Sequence, residues 1–402
     1  MRSTTGTAAD GAGRRQPPAS SASRTHAACR AAALVVVAIF LASIARFYHP
    51  GTGFTALIGF PEGNDSYEAP QLRAVPHYHY PAWASYDGQF YAQRAFDPLV
   101  RDPAVDRGMD LAPFRARRIL FSWTAYVAGF GRPAWILEAY ALQNVVVWLL
   151  LALLLTRWVP PQTPRGLAAW SACLLSHGLL WSVRFALLDG PSLLLTAFAV
   201  KLTEDGHPLA SAATVGVNGL GRETNVLGAL AQPLPRDVRA WTRLLVAGLL
   251  VIVPLMLWED YLRSIYRSTI FAGADPIRLP GMALVVTAGG IWQALRATGV
   301  FSGAGLQICV VLPLVVQAAY IVTRPRLRSP WWRVAAGYVV LMLILDVVLW
   351  APSTGAITRV TLPLTVAFNI LLAREPGASR FWPWFAFGNL HLIPAMWVMP
   401  LI

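Results

Sequence analysis

Long apolar runs alternate with short polar segments along most of this chain. The clearest runs cover residues 31–48, 134–155, 242–258 and 306–322. A continuous apolar run of about 18 residues is long enough to cross a bilayer as one helix. Transmembrane β-barrels instead show short strands in which apolar and polar residues alternate. The pattern therefore predicts an all-α polytopic membrane protein.

Shorter apolar runs predict further crossings at 166–183, 187–200, 334–350, 360–373 and 381–402. Short spans are difficult to count from hydropathy, so the prediction is a bundle of about nine to eleven transmembrane helices. The amphipathic stretch 281–299 is expected at the outer membrane interface.

The weakly apolar segment 208–234 has a different pattern, because Gly219, Gly221, Arg222 and Glu223 interrupt it. Non-helical backbone at membrane depth is tolerated only where protein or water covers it. We predict two half-helices that meet at Gly221 to Thr224, near the outer side.

The polar segments predict the topology. Residues 1–28 lack hydrophobic periodicity and are expected to form a disordered cytoplasmic tail, followed by a single transmembrane domain at 29–402. Arginines precede the first run, which predicts a cytoplasmic N-terminus. A cleaved signal peptide is the alternative, but this run is long for one. Residues 49–133 then form a large first extracytoplasmic loop, whose aromatic content predicts interfacial helices.

Composition agrees with a membrane protein, since only 13% of the residues are charged against about 25% in soluble domains. The net charge of +13 would suit a nucleic-acid partner. The basic residues lie in the tail and in loops between spans, however, as the positive-inside rule expects. We therefore predict contact with membrane lipids and no nucleic-acid binding. Cys29, Cys173 and Cys309 form no CxxC pair and predict no disulfide framework.

The strongest candidate for chemistry is Asp87, within the sequence from Ser85 to Tyr91 in the first loop. Asp-Gly pairs also favour simple turns. The aromatic residues around this pair favour a functional role, since functional residues concentrate on loops.

Charged residues near apolar runs are the other candidates, because a charge at the centre of a membrane helix costs about 2.5–3.5 kcal/mol. Converging arginines would suit a phosphate group. A nearby carboxylate could act as a general base or hold a divalent cation. The alternatives are headgroup anchoring by Arg117 and Arg118 and structural ion pairs of Arg184 with Asp189 and of Arg222 with Glu223. The set is Arg117, Arg118, Arg184, Asp189, Arg222, Glu223, Asp346 and Arg359.

His77 and His79 have a spacing that could ligate a metal ion. An interfacial histidine pair is more common, so no metal ligand is assigned. The sequence assigns no cofactor, and binding of a divalent cation is left as an open alternative.

Three motifs resemble those of a known family. Tyr86 to Tyr91, Ala95-x-Asp97-Pro98 and Arg117-Arg118-Ile119-Leu120 resemble a bacterial group of polytopic proteins linked to cell-surface glycopolymer formation. That group resembles the GT-C superfamily of membrane glycosyltransferases. Gly221 to Thr224 and Arg359 to Leu364 also look like recurring elements of the bacterial group.

The resemblance implies a GT-C-like bundle in the bacterial inner (plasma) membrane. It also implies transfer of a sugar from a polyprenyl-phosphate donor to a glycan or lipid acceptor. Asp87 would be the catalytic carboxylate, and the predicted substrate-binding residues are Tyr86, Gln89, Tyr91, Arg117, Arg118, Arg184, Asp189, Arg222, Glu223 and Arg359.

The chain departs from the family pattern where many members have two neighbouring acids, since no acid lies closer to Asp87 than Asp97. Two other functions are alternatives. One is a transporter or flippase for a glycolipid, because broken helices occur in transporters. The other is a non-catalytic subunit of a surface-polymer assembly complex.

Overall fold

The computed structural model describes residues 19–63, 67–81, 85–235, 237–266, 279–299, 301–351 and 355–398. The segment that was predicted as the first loop contains two short parallel strands and five short helices. They are β1 (Phe60–Pro61), α2 (Pro70–Arg73), β2 (His79–Tyr80), α3 (Gly88–Arg94), α4 (Pro103–Arg107), α5 (Ala112–Ala116) and α6 (Leu120–Ala128).

Longer helices precede and follow this segment along the chain. They are α1 (Ala19–Ala45), α7 (Pro133–Leu155), α8 (Pro164–Leu174), α9 (His177–Arg184), α10 (Asp189–Glu204), α11 (Pro208–Gly219), α12 (Val238–Tyr266), α13 (Met282–Thr298), α14 (Gly303–Thr323) and α15 (Pro330–Ile344). The C-terminal helices are α16 (Ala356–Val360), α17 (Leu362–Ala373), α18 (Ala378–Gly388) and α19 (Leu392–Val398). The all-α prediction is confirmed.

Within the described ranges, four helices are long and apolar enough to cross a membrane: α1, α7, α12 and α14. The pair α8 and α9, bent by 43°, adds a fifth if it counts as one span. This is fewer than the nine to eleven predicted, because several apolar runs form short helices. For example, α17 has 12 residues and covers about 18 Å, less than the roughly 30 Å of a hydrocarbon core.

Element boundaries differ from the predicted ones at both ends of the described chain. Helix α1 begins at Ala19 and therefore includes the second part of the predicted tail, while residues 1–18 lie outside the described residues. The alanines in this part favour helix, since alanine has the highest intrinsic helix propensity. The run 381–402 is divided between α18 and α19.

The break predicted within 208–234 is present. Helix α11 ends at Gly219, and a 3-10 segment, Glu223–Ala231, follows it. The carbonyl of Leu220 accepts a 3.2 Å hydrogen bond from the backbone N–H of Leu120, where α6 begins. The junction therefore lies against the same segment that carries Asp87.

Helix α17 is buried on all sides from Leu362 to Leu372. It packs against α8, α14 and α15. A helix that is apolar all round belongs in a core. Its buried Asn369 exchanges reciprocal hydrogen bonds of 2.9 and 3.0 Å with the side-chain amide of Asn389, so both amides are satisfied.

Helix α10 separates two polar regions. It begins at Asp189 and ends at Glu204, about 22 Å further along at 1.5 Å per residue. At its C-terminal end, Arg157 and Lys201 pair with Asp205. At its N-terminal end, Asp189 belongs to the cluster described next.

Candidate functional site

Asp87 lies directly before α3, but its carboxylate does not cap that helix. Packing explains the glycine of the Asp-Gly pair better than a simple turn does. Gly88 is the first residue of α3 and lies directly against the backbone of two other segments. A Cβ atom on Gly88 would overlap the carbonyl oxygen of Phe185 and approach that of Ile58 to 3.0 Å. The close approach brings Asp87 next to the connection between α9 and α10.

The carboxylate of Asp87 faces Arg115 instead. Nη2 of Arg115 donates a 2.9 Å hydrogen bond to Oδ1 of Asp87. The same guanidinium donates to both oxygens of Asp110, at 2.9 and 2.7 Å, and to the hydroxyl of Tyr91 at 3.2 Å. It also lies 4.8 Å from the ring centroid of Phe90. Arg115 is therefore held in one orientation and fixes the direction of Asp87.

This contact also sets the charge of Asp87. Partial burial raises the pKa of the Asp87 carboxyl, but the guanidinium of Arg115 lowers it, and Arg359 and Arg118 lower it further. The net effect is a pKa below the usual range, so the carboxylate is ionised at neutral pH. The Asp87 side chain is 42% exposed and can meet a substrate.

Arg117 and Arg118 join this region to more distant segments. Arg118 donates to the Tyr91 hydroxyl at 3.2 Å and to Oε2 of Glu223 at 3.2 Å. Arg117 lies 3.5 Å from Oε1 of Glu223 and donates to Glu259 on α12 at 3.1 Å. The end of α5 is thus tied to both the 3-10 segment and α12.

Asp189 closes the cluster. It pairs with Arg222 through one carboxylate oxygen and accepts a 2.9 Å hydrogen bond from Arg359 through the other. Arg359 in turn donates a 2.8 Å hydrogen bond to the hydroxyl of Tyr86, the neighbour of Asp87. Arg359 is buried where α16 packs on α9, and Gly178 permits this packing because a Cβ there would overlap the Thr358 carbonyl.

We call these residues the arginine–carboxylate network. Each of its guanidiniums has at least one carboxylate partner, and the exposed Arg263 also lies 3.8 Å from Glu259. The arginines were expected to converge on a phosphate beside a carboxylate, with structural ion pairs as the alternative, and the network does contain ion pairs. The network consists of Arg115, Arg117, Arg118, Arg222 and Arg359 with Asp87, Asp110, Asp189, Glu223 and Glu259.

Most of the predicted site residues come together in the network or directly beside it: Tyr86, Asp87, Tyr91, Arg117, Arg118, Asp189, Arg222, Glu223 and Arg359. Gln89 is buried in the first turn of α3. Asp346 is buried before the 3-10 segment Val347–Trp350, which packs against α13 and α16.

Arg184 is placed differently from its prediction. Its guanidinium lies 4.6–5.0 Å from the ring centroids of Phe47, Tyr80 and Phe185 and donates to the carbonyl of Ala56. The suggested pairs Arg184–Asp189 and Arg222–Glu223 are both wrong. Asp189 pairs with Arg222 and Arg359, and Glu223 pairs with Arg117 and Arg118.

Sequence reasoning missed Arg115, Asp110 and Glu259. The spacing of Arg115 and Arg118 was the available signal, since residues three apart lie on one face of a helix. Both guanidiniums do reach the hydroxyl of Tyr91, each at 3.2 Å. Nothing local in the sequence marks Glu259, which reaches Arg117 only through the packing of α12.

A metal site is a separate question. Among the described residues, one group of three acid and histidine side chains is close enough to hold a metal ion, and it lies outside the network.

In comparisons with known proteins, no protein-family model matches the chain and no curated protein matches it.

Proposed function

We propose that the protein is a membrane glycosyltransferase of the bacterial inner membrane, with a GT-C-like bundle. It moves a sugar from a polyprenyl-phosphate donor to a glycan or lipid acceptor at the outer face. The observation that carries the proposal is the geometry of Asp87, an ionised carboxylate aimed by Arg115. Asp87 is also the most exposed acid in a network of guanidiniums from distant segments.

Asp87 would act on the acceptor hydroxyl. The hydroxyl oxygen bonds to the anomeric carbon of the sugar, and its proton passes to the Asp87 carboxylate. The bond from that carbon to the phosphate oxygen breaks, and polyprenyl phosphate leaves with the electron pair. A carboxylate of low pKa is a weak base, so proton transfer comes late, when the forming bond has made the hydroxyl acidic. Asp87 then returns its proton to water.

The leaving phosphate needs positive charge close to its oxygens. Arg118 and Arg222 are each 15% exposed and are the candidates for this contact. A guanidinium has five N–H donors and can serve a carboxylate and a phosphate together. The carboxylates of the network then hold the guanidiniums in position before the donor arrives, and such preorganisation lowers the cost of stabilising charge.

The position of α12 supports a lipid-linked donor. Only 11% of its apolar window is buried inside the protein, and Glu259 near its C-terminal end pairs with Arg117. A polyprenyl chain that lies along the uncovered surface of α12 would bring its phosphate to the network.

A glycolipid transporter is the second candidate. The 43° bend between α8 and α9 and the break between α11 and the 3-10 segment are features that transporters share. Transport sites lie near the middle of the membrane, however, whereas the network lies at one end of α10. This position favours the transferase.

The test compares Asp87→Asn with Asp205→Asn in the producing cell. The control makes the same acid-to-amide change at the other end of α10. The readouts are the sugar composition of the surface polymer and the leaflet in which polyprenyl-phosphate sugar accumulates. We expect Asp87→Asn to lose one sugar from the polymer and to accumulate the donor in the outer leaflet.

Other outcomes would overturn the proposal. Inner-leaflet accumulation in Asp87→Asn would indicate transport. Unchanged polymer, also when Asp87 and Arg118 are both replaced, would indicate a non-catalytic subunit of an assembly complex.

A further inference from the structure

Glu68, His77 and His79 form a second polar cluster in the segment 49–133. Parallel pairing of β2 with β1 aligns His79 with Phe60, and the ring of His77 packs edge-on against Phe60 at 4.8 Å. Glu68 comes from the chain before α2. One ligand atom from each of the three side chains lies within 4.8 Å of the other two.

The distances fit a tetrahedral metal ion. Oε1 of Glu68 lies 3.3 Å from Nε2 of His79 and 3.6 Å from Nε2 of His77. Ligands that bind zinc at about 2.0–2.1 Å in a tetrahedral site lie about 3.3–3.4 Å from one another. The two distances from Glu68 to the histidine nitrogens are thus close to the ligand–ligand distance that a tetrahedral zinc site requires.

His77 is oriented as a metal ligand. It is 92% buried, and its Nδ1 lies 2.7 Å from the carbonyl oxygen of Val75. Since a carbonyl only accepts, Nδ1 carries the proton, and the lone pair of Nε2 points into the cluster. That Nε2 atom is buried and has no hydrogen-bond partner. Metal-bound histidines are oriented in this way, with the second ring nitrogen donating to a carbonyl or carboxylate.

An ion pair alone explains the cluster less well. At 3.6 Å, Glu68 is too far from Nε2 of His77 for a hydrogen bond. The rings of His77 and His79 lie only 4.3 Å apart, so protonation of both would place like charges together. A metal ion between the three side chains would satisfy the buried nitrogen and join the two rings.

We propose that Glu68, His77 and His79 bind one Zn²⁺ ion, with a fourth position open for water. Two imidazoles and one carboxylate form a ligand set suited to zinc. The group borders a cavity of about 560 Å³, which also touches Arg73 and Pro76 and gives the ion access to solvent. The ion fixes residues 67–81 and hence Tyr80, whose ring lies 5.0 Å from the guanidinium of Arg184.

The test uses the full-length protein in detergent, without a polyhistidine tag, after removal of metal with a chelator. Titration with Zn²⁺ is followed by calorimetry, and bound metal is measured by mass spectrometry. We expect one zinc ion per chain and, with Co²⁺, the visible absorption of a four-coordinate ion. His77→Ala and Glu68→Gln should each weaken zinc binding about 100-fold or more, since the loss of even a supporting residue costs 10–100-fold.

His49→Ala is the matched control, because His49 belongs to the same segment but stacks on Tyr78 at 4.3 Å. It should bind zinc like the wild type. If His77→Ala does not fold, zinc binding by Glu68→Gln and the cobalt spectrum of the wild type decide whether the cluster binds the metal ion. Wild-type protein without stoichiometric zinc, or equal affinity in Glu68→Gln and wild type, would overturn the proposal. Neither result depends on sugar transfer.

Discussion

Arg115 and Asp87 are 28 residues apart in sequence, yet Nη2 of Arg115 donates a 2.9 Å hydrogen bond to the Asp87 carboxylate. Asp110 and Tyr91 occupy the other side of the same guanidinium. Arg115 therefore determines both the direction and the charge of the acid to which we assign proton transfer. The first two of the following predictions test this arrangement.

Replacing Arg115 should change the pH dependence of sugar transfer. The pKa of Asp87 lies below its usual range although burial raises it, because Arg115 provides the largest opposing effect. The proposed transfer uses the ionised carboxylate, so wild-type activity should decline only as the pH falls through this lowered pKa. In Arg115→Gln the pKa of Asp87 rises, and the acidic limb of the pH–rate profile should move to higher pH.

The control for this shift is Arg157→Gln, which removes a guanidinium at the other end of α10. Its profile should match the wild type. An acidic limb at the same pH in Arg115→Gln would show that Arg115 does not set the ionisation of the reacting group.

Replacing Gly88 should disturb the fold around Asp87. A Cβ there overlaps the carbonyl oxygen of Phe185, which belongs to the backbone and cannot rotate away. Overpacking of this kind costs about 1–3 kcal/mol. Gly88→Ala should lower the thermal midpoint in detergent and reduce transfer. Gly248→Ala is the control, because that helical glycine has open space around its Cβ position and should keep or raise the midpoint. Equal midpoints for the two variants would contradict the packing.

Local pattern predicted the long elements well, for physical reasons. Residues 134–155 are predominantly apolar and form α7 almost as predicted. The charged and glycine-rich junction at Gly221 and Arg222 marked a break that the structure contains. Runs such as 360–373 were predicted as spans because hydropathy does not distinguish a membrane helix from a buried one. Helix α17 is buried in the protein core over almost its whole length.

The sequence could predict individual residues of the candidate site, but not which of them pair with one another. Charges near apolar runs indicated Asp189, Arg222 and Arg359, but their pairing depends on tertiary packing. The hydrogen bond from Arg359 to Tyr86 joins residues 273 positions apart. Adjacent residues such as Arg222 and Glu223 suggested a pair, whereas each has its partner on another element.

Asp189 should be important for stability. It is 3% exposed and neutralises two guanidiniums, those of Arg222 and Arg359. Asp189→Asn leaves both cations buried without this charge, and breaking a buried pair costs about 3–5 kcal/mol. Unfolding in detergent should show a much lower midpoint, whereas Asp205→Asn, at an exposed cluster, should change it little. A wild-type midpoint in Asp189→Asn would show that water or another group stabilises the two arginines.

The amide pair in the core predicts a non-additive result. Asn369→Leu or Asn389→Leu alone leaves one buried amide without its partner, at about 1–3 kcal/mol. The double variant removes both polar groups and should be much less destabilised than the sum of the single variants. A double-mutant cycle of unfolding free energies measures this coupling. Strict additivity would mean that the two amides do not interact.

The last prediction concerns which side of the membrane each end of α7 faces. Helix α7 has 23 residues and spans about 34 Å, enough to cross a hydrocarbon core of about 30 Å. In its first turns, Glu138 accepts a 3.0 Å hydrogen bond from the backbone of Phe54, in the segment that carries Asp87. Just beyond its other end, Arg157 pairs with Asp205. The Asp87 region and the Asp205 region should therefore face opposite aqueous compartments.

Cysteine labelling can measure this in a background where Cys29, Cys173 and Cys309 are replaced by serine. The exposed positions Glu62 and His207 mark the two regions. A membrane-impermeant maleimide should label Glu62→Cys in intact cells and His207→Cys only after permeabilisation. Labelling of both in intact cells would place the two ends of α7 on one side. The reverse pattern would put Asp87 in the cytoplasm, where the proposed outer-face reaction cannot occur.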